Sequence, residues 1–138
     1  MKFSRKASAS WQGSGKDGKG SVSTQSTVLD KTPYSFKTRF EEGKGTNPEE
    51  LIAAAHAGCF TMQLSFLLSE AGHVPDELTT SAKVNFEDGA IPSIELTLEG
   101  KVPSIDADTF AELAEKAKEI CPISKLLKTE ITLTTKLM

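Results

Sequence analysis

The sequence predicts an α+β fold with the element order βββ-α-ββ-α-β, and three observations predict it. Apolar and polar residues alternate in short runs near the N-terminus, between residues 83 and 99, and again at the C-terminus. The segment Leu51–Ser69 (LIAAAHAGCFTMQLSFLLS) carries no Asp, Glu, Lys or Arg and reads as one long helix. A second helical pattern places Phe110, Leu113, Ala114 and Ala117 on one face. Strand runs separated from helical runs suit antiparallel sheets with segregated helices rather than a doubly wound parallel fold.

Each element follows from local chemistry. Ala7, Ala9 and Trp11 alternate with Ser8, Ser10 and Gln12, the period of a half-buried strand. Gly13–Gly20 (GSGKDGKG) contains the Asp17-Gly18 turn pair and closes a hairpin onto a second strand near Ser21–Thr27. A third extended segment is expected between Val28 and Phe40, interrupted around Pro33. Thr46 or Asn47 can cap the long helix, Pro48 fits its first turn, and Glu49 and Glu50 suit the positive end of its dipole. Gly72 stops it after about Ala71. Val84 and Phe86, then Ile94, Leu96 and Leu98, alternate with polar residues on either side of Asp88-Gly89, a second hairpin. Ser104 or Asp106 starts the second long helix and Cys121-Pro122 breaks it. Ile123–Lys128 can add a further turn, and Ile131, Leu133 and Leu137 end the chain as a strand.

The chain has 138 residues, the size of a single domain spanning 1–138. Its net charge of −3, with acids and bases interspersed, argues against a nucleic-acid binder, which would show a basic face or stripe. Two cysteines, Cys59 and Cys121, are too few for a disulfide-stapled scaffold. No apolar run follows the basic N-terminal residues, so no signal peptide is expected. Leu51–Ser69 approaches the length of a membrane span. His56, Gly58, Thr61, Gln63 and Ser65 interrupt it, and it reads better as a helix buried on most sides. A domain this small has little to cover such a helix, while Ala53–Ala55, Ala57 and Gly58 permit close helix approach. A homodimer that packs two copies of the helix together is therefore expected.

Several motifs compete for the chemistry. Gly13, Gly15 and Gly18 match a dinucleotide fingerprint literally, and Gly13-xxxx-Gly18-Lys19 nearly matches a phosphate loop with Gly20 in place of Ser or Thr. Neither precedes a helix, so both read as a hairpin turn. His56 and Cys59 lie one helical turn apart, and His73 and Cys121 could join them around a metal. The paired short spacings of structural zinc sites are missing, so no metal is expected. A His56–Cys59 hydrolase pair is weak, because side chains three apart on one helix rarely meet tip to tip.

A redox pair of Cys59 and Cys121 is the stronger idea. The thiolate is the nucleophile, and a thiol needs a neighbouring positive charge to ionise at neutral pH. Arg39 is one of only two arginines and precedes the Cys59 helix; Glu49 is a carboxylate that could orient it. For Arg39 the sequence alone favours a surface ion pair with Glu41 or Glu42, and two inert buried thiols explain the cysteines as well as a redox pair does. From the residues alone both readings stand.

Thr46–Phe60 (TNPEELIAAAHAGCF) closely resembles the signature helix of the OsmC/Ohr peroxidase family, and Cys121-Pro122-Ile123-Ser124 resembles its second cysteine motif. Tyr34–Glu41 (YSFKTRFE) and Gly18-Lys19-Gly20 resemble the OsmC branch in particular. The resemblance spans essentially the whole chain. It implies a cytoplasmic, cofactor-free thiol peroxidase that acts on organic hydroperoxides, and an intertwined homodimer with two sites at the subunit interface. It makes Cys59 the peroxidatic cysteine, Cys121 the resolving one, and Arg39 with Glu49 the activating pair. The Ohr branch carries its arginine in the early glycine-rich loop; here that loop offers only Lys16 and Lys19, so Arg39 must serve. The implied partners are the hydroperoxide and a dithiol reductant, such as a lipoylated protein, with neither nucleic acid nor membrane.

Glu49 and Cys59 are separated by about 15 Å along a straight helix. One Arg39 cannot reach both unless that helix bends near Ala53–Gly58, so Arg39 and Glu49 are expected to serve Cys59 across the subunit interface. Competing classes are a metal-binding structural protein and a small-ligand carrier. Turnover of an organic hydroperoxide with a dithiol separates the peroxidase from both.

Overall fold

A computed structural model describes all residues, 1–138. They cluster into two compact units, Met1–Leu51 and Ile52–Met138.

In the first unit, β1 (Ala7–Gln12), β2 (Lys19–Thr24) and β3 (Thr32–Tyr34) form an antiparallel sheet in that order. The hairpin register pairs Gln12 with Lys19, so the glycine-rich segment is the turn between β1 and β2 and opens no helix. Gly20 lies against the Trp11 and Tyr34 rings, whose centroids are 5.3 Å apart. A Cβ at Gly20 would stand 2.5 Å from Trp11 Cε3, which is why this position has no side chain. Pro33 does not interrupt the third strand as expected but sits inside it. As an edge strand, β3 needs no donor on its open side, so proline costs little there.

Short helix α1 (Phe36–Phe40) follows, a helix the alternation pattern did not reveal. Its signal is a capping box: Ser35 Oγ accepts from Thr38 N at 3.2 Å, and Thr38 Oγ1 accepts from Ser35 N at 2.8 Å. The long helix α2 (Pro48–Glu70) starts where its capping residues predict. Asn47 Oδ1 accepts from Glu50 N at 2.8 Å, which makes Asn47 the cap, while Thr46 Oγ1 donates to Glu50 Oε2 at 2.8 Å.

The second unit contains most of α2, then β4 (Glu77–Glu87), β5 (Ala90–Lys101), α3 (Ala107–Ile120), α4 (Pro122–Leu126) and β6 (Glu130–Leu137). The sheet order is β4-β5-β6. β4 and β5 form the expected hairpin, but β6 pairs parallel to β5. That corrects the purely antiparallel expectation. A parallel pair needs a long crossover, and α3 with α4 supplies it by returning the chain to the same end of the sheet. The α+β order otherwise stands, with α1 and α4 as additional short helices. The Asp106 carboxylate caps α3 by accepting from Thr109 N at 2.8 Å.

The core of this unit joins Phe60, Leu64, Leu67 and Leu68 of α2 to Ile94, Leu96 and Leu98 of β5 and to Phe110, Ala114 and Ala117 of α3. Burial of α2 differs from the sequence expectation. Within one chain it is buried on one side only, while Ala54, Ala55, Gly58, Met62 and Phe66 form an exposed stripe. Met62 is 64% and Phe66 59% exposed, so one chain leaves this apolar helix half covered.

Gly100 shows how tightly α3 meets the sheet. A Cβ there would lie 2.5 Å from Phe110 Cζ and 2.9 Å from Cε2, atoms of a ring that is itself fully packed. Gly100→Ala should cost about 1–3 kcal/mol by overpacking. Urea unfolding should show a lower midpoint at unchanged slope; an unchanged midpoint would mean the ring has room to move.

Candidate active site

Within the second unit, two segments distant in sequence come together. Cys59 lies half-buried on α2, and Cys121 is completely buried at the junction of α3 and α4. Both are free thiols, and the Cys121 Sγ–H donates to Cys59 Sγ at 2.9 Å. That is within about 0.9 Å of a disulfide bond length, so a bond between them needs little motion. The Cys121-Pro122 break places this sulfur: Cys121 N donates to Ala117 O at 2.9 Å as the last act of α3, and proline then opens α4.

Burial pushes the Cys59 thiol up, its pairing with the neighbouring Cys121 thiol pushes it further, and the backbone N–H of Ile123 pulls it down. No cation appears among these influences. The turn after Cys121 therefore directs a backbone donor at Cys59.

His56 does not turn toward the thiol. It is completely buried, and its Nε2 lies 2.7 Å from Ser124 Oγ. Burial holds the imidazole below its ordinary pKa of 6.5, so it is neutral at pH 7. The candidate metal ligands His56, Cys59, His73 and Cys121 do not gather into a group of three or more metal-ligating side chains.

In the first unit, the Arg39 Nε–H donates to Glu49 Oε1 at 2.8 Å. The local fold prepares this pair. Arg39 sits on α1, and Asn47 Nδ2 donates to the Thr38 carbonyl at 3.0 Å, tying α1 to the start of α2, where Glu49 stands. The Arg39 side chain is 41% exposed and that of its carboxylate partner 15% exposed. Helix α2 runs without interruption from Pro48 to Glu70.

Two elements of this arrangement escaped the sequence reading: the Ser124 partner of His56 and the Asn47–Thr38 clasp. The first has no local signal, because its partners are 68 positions apart. The second is half legible, since Asn47 is recognisable as a cap but its second bond is not.

Comparison with known proteins gives a consistent family signal. The family model described as OsmC-like protein matches residues 41–136. The chain is 53% identical over 137 residues to the peroxiredoxin OsmC of Escherichia coli (strain K12), covering 96% of each chain. It is 35% identical over 94 residues to the organic hydroperoxide resistance protein OhrA of Bacillus subtilis (strain 168), covering 66% of each. Among solved structures, OhrB of Bacillus subtilis matches with a TM-score of 0.69 at 27% identity, covering 99% of this chain and 98% of that one. An OsmC-like protein from Mycoplasma pneumoniae matches with a TM-score of 0.79 at 13% identity, over 100% and 99% of the two chains, a likeness of fold alone.

Proposed function

Because this chain belongs to the OsmC-like protein family, we propose that it is a thiol peroxidase that reduces organic hydroperoxides to alcohols. The observation that carries the reading is the 2.9 Å approach of the Cys59 and Cys121 sulfurs, one half-buried and one fully buried. The names of its relatives, a peroxiredoxin and organic hydroperoxide resistance proteins, point the same way.

In the first step the Cys59 thiolate attacks the distal oxygen of ROOH. The O–O bond breaks, the alkoxide takes a proton and leaves as ROH, and Cys59 becomes a sulfenic acid. In the second, the Cys121 sulfur attacks the Cys59 sulfur, the S–O bond breaks, and water leaves as the disulfide forms. An external dithiol, such as a lipoylated protein, then reduces that disulfide by exchange and is itself oxidised. Half-exposed Cys59 suits the first role, since a peroxide can reach it; enclosed Cys121 suits the second.

Activation is assigned to Arg39, oriented by Glu49, from the partner subunit of a homodimer. Three observations support this assignment. Nothing cationic acts on Cys59 within its own unit. An unbroken α2 separates Glu49 from Cys59 by about 15 Å of helical rise. The exposed apolar stripe of α2 also needs cover, and a second α2 supplies it with small residues at the contact. Such a protein works in the cytoplasm, where a thiol reductant keeps the disulfide transient.

The test uses the full-length protein with cumene hydroperoxide and dihydrolipoamide. Catalytic consumption of peroxide is expected. One equivalent of peroxide without reductant should yield protein lighter by two hydrogens and a cross-linked Cys59–Cys121 peptide. Consumption at the background rate, or a disulfide elsewhere, overturns the reading.

A further inference from the structure

The mechanism above leaves one buried titratable side chain without a task. His56 is the only fully buried polar side chain of the Ile52–Met138 unit. Its Nε2 meets Ser124 Oγ at 2.7 Å, while its Nδ1 is buried with no partner. A neutral imidazole carries one N–H, and an orphaned buried donor is worse tolerated than an orphaned acceptor. The proton therefore sits on Nε2 and is donated to Ser124. An unmatched Nδ1 offsets what that bond contributes to stability, and a leucine would fill the same core more cheaply. Stability alone gives no reason for a histidine here.

Position does give one. His56 and Cys59 are three residues apart on α2, and Cys121 and Ser124 are three residues apart at the start of α4. The two contacts, His56–Ser124 and Cys59–Cys121, are therefore neighbouring rungs between the same two segments. The segment that carries Ser124 is held by apolar packing of Cys121, Ile123 and Leu127 against the core, and His56 gives it its side-chain hydrogen bond to α2. Helix α4 is five residues long, contains no buried residue, and starts without a side-chain cap bond.

We infer that the His56–Ser124 hydrogen bond is a latch that positions Cys121 for attack on oxidised Cys59, leaving the peroxide step untouched. This rests on the peroxidase reading. The step it governs is the condensation Cys59–SOH + Cys121–SH → Cys59–S–S–Cys121 + H2O, whose oxidant is the hydroperoxide already consumed. A latch raises the effective concentration of the resolving thiol and contacts no substrate, so His56 and Ser124 are positioning residues.

Ser124→Ala removes the acceptor at a half-buried position and is the principal variant; His56→Leu removes the donor. Ser124→Thr keeps the hydroxyl, and His56→Gln places an amide N–H near the position of Nε2. Single-turnover kinetics with cumene hydroperoxide should show an unchanged rate of Cys59 oxidation in Ser124→Ala. Disulfide formation should slow about tenfold or more, the scale expected when a reacting group is displaced. The sulfenic acid that accumulates should pass to sulfinic acid at higher peroxide, seen as a mass gain on the Cys59 peptide. Ser124→Thr and His56→Gln should recover most of the resolving rate. Equilibration with dithiothreitol redox buffers gives a readout free of peroxide: the Cys59–Cys121 potential should rise in Ser124→Ala, because a poorly held thiol closes a weaker disulfide.

Wild-type resolution and potential in Ser124→Ala overturn the latch while leaving the peroxidase reading intact. So does an equal loss in the oxidation and resolution steps, which marks general damage to the site. If wild-type protein forms no sulfenic acid with cumene hydroperoxide, the peroxidase reading and the latch fall together.

Discussion

Cys59→Ser should lower organic hydroperoxide consumption to the uncatalysed rate while the protein stays folded. The substitution exchanges one sulfur for oxygen at a half-buried site on α2, so packing changes little. Its chemical effect is total. A serine hydroxyl is not ionised near neutral pH, and no neighbouring base is placed to activate it, since His56 is turned to Ser124. Cys121 cannot take over, because its sulfur is completely enclosed. Cys121→Ser should behave differently. It should oxidise once at the normal rate and then stall, with Cys59 climbing from sulfenic to sulfinic acid under excess peroxide. Steady-state assays with a dithiol, together with peptide mass spectrometry, separate the two. Turnover in Cys59→Ser above background would remove this cysteine from the reaction.

Arg39→Ala should reduce kcat/KM about 10²–10³-fold, the effect of removing one charge-stabilising donor from a reacting centre. Within its own unit Cys59 is held above its ordinary pKa by burial and by Cys121. On the proposed assignment Arg39 lowers it, so its loss should leave less thiolate at pH 7, and the rising limb of the rate–pH profile should move to higher pH. Arg39→Lys should recover part of the rate through its charge. A point ammonium cannot hold Glu49 and a thiolate together as a planar guanidinium can. Glu49→Gln keeps the cation but loosens its 2.8 Å pairing, so an intermediate loss with a smaller pH displacement is expected. Mixing Arg39→Ala with Cys59→Ser subunits tests the shared site. Each homodimer should be inactive, and heterodimers that pair an intact Arg39 with an intact Cys59 across the interface should regain activity. Failure to regain any would place both groups in one subunit or remove Arg39 from the site.

Local pattern settled most of the secondary structure. The alternation through Ile94, Leu96 and Leu98 marks β5 because its sheet has one buried face, and those three side chains are buried. Asn47, Pro48 and two acids mark the start of α2 through backbone donors that any helix must satisfy. Phe110, Ala114 and Ala117 mark the face of α3 for a similar reason: burial repeats with the helix turn. Less was legible where an element is too short for a period. Helix α1 has one turn, and only its Ser35–Thr38 capping box announces it.

The candidate site divides along the same line. Its candidates, Arg39, Glu49, Cys59 and Cys121, could be named from the chain, but composition left inert thiols and a surface ion pair open, and only the family resemblance gave these residues roles. What tertiary structure decided is who meets whom. The parallel pairing of β6 with β5, the 62-position reach from Cys59 to Cys121 and the 68-position reach from His56 to Ser124 leave no periodic trace. Periodicity records which side of an element is buried, whereas these contacts depend on how the α3–α4 crossover returns to the sheet. The uncharged α2 belongs to both accounts: its sequence demands cover, and the fold of a single chain supplies that cover on one side only.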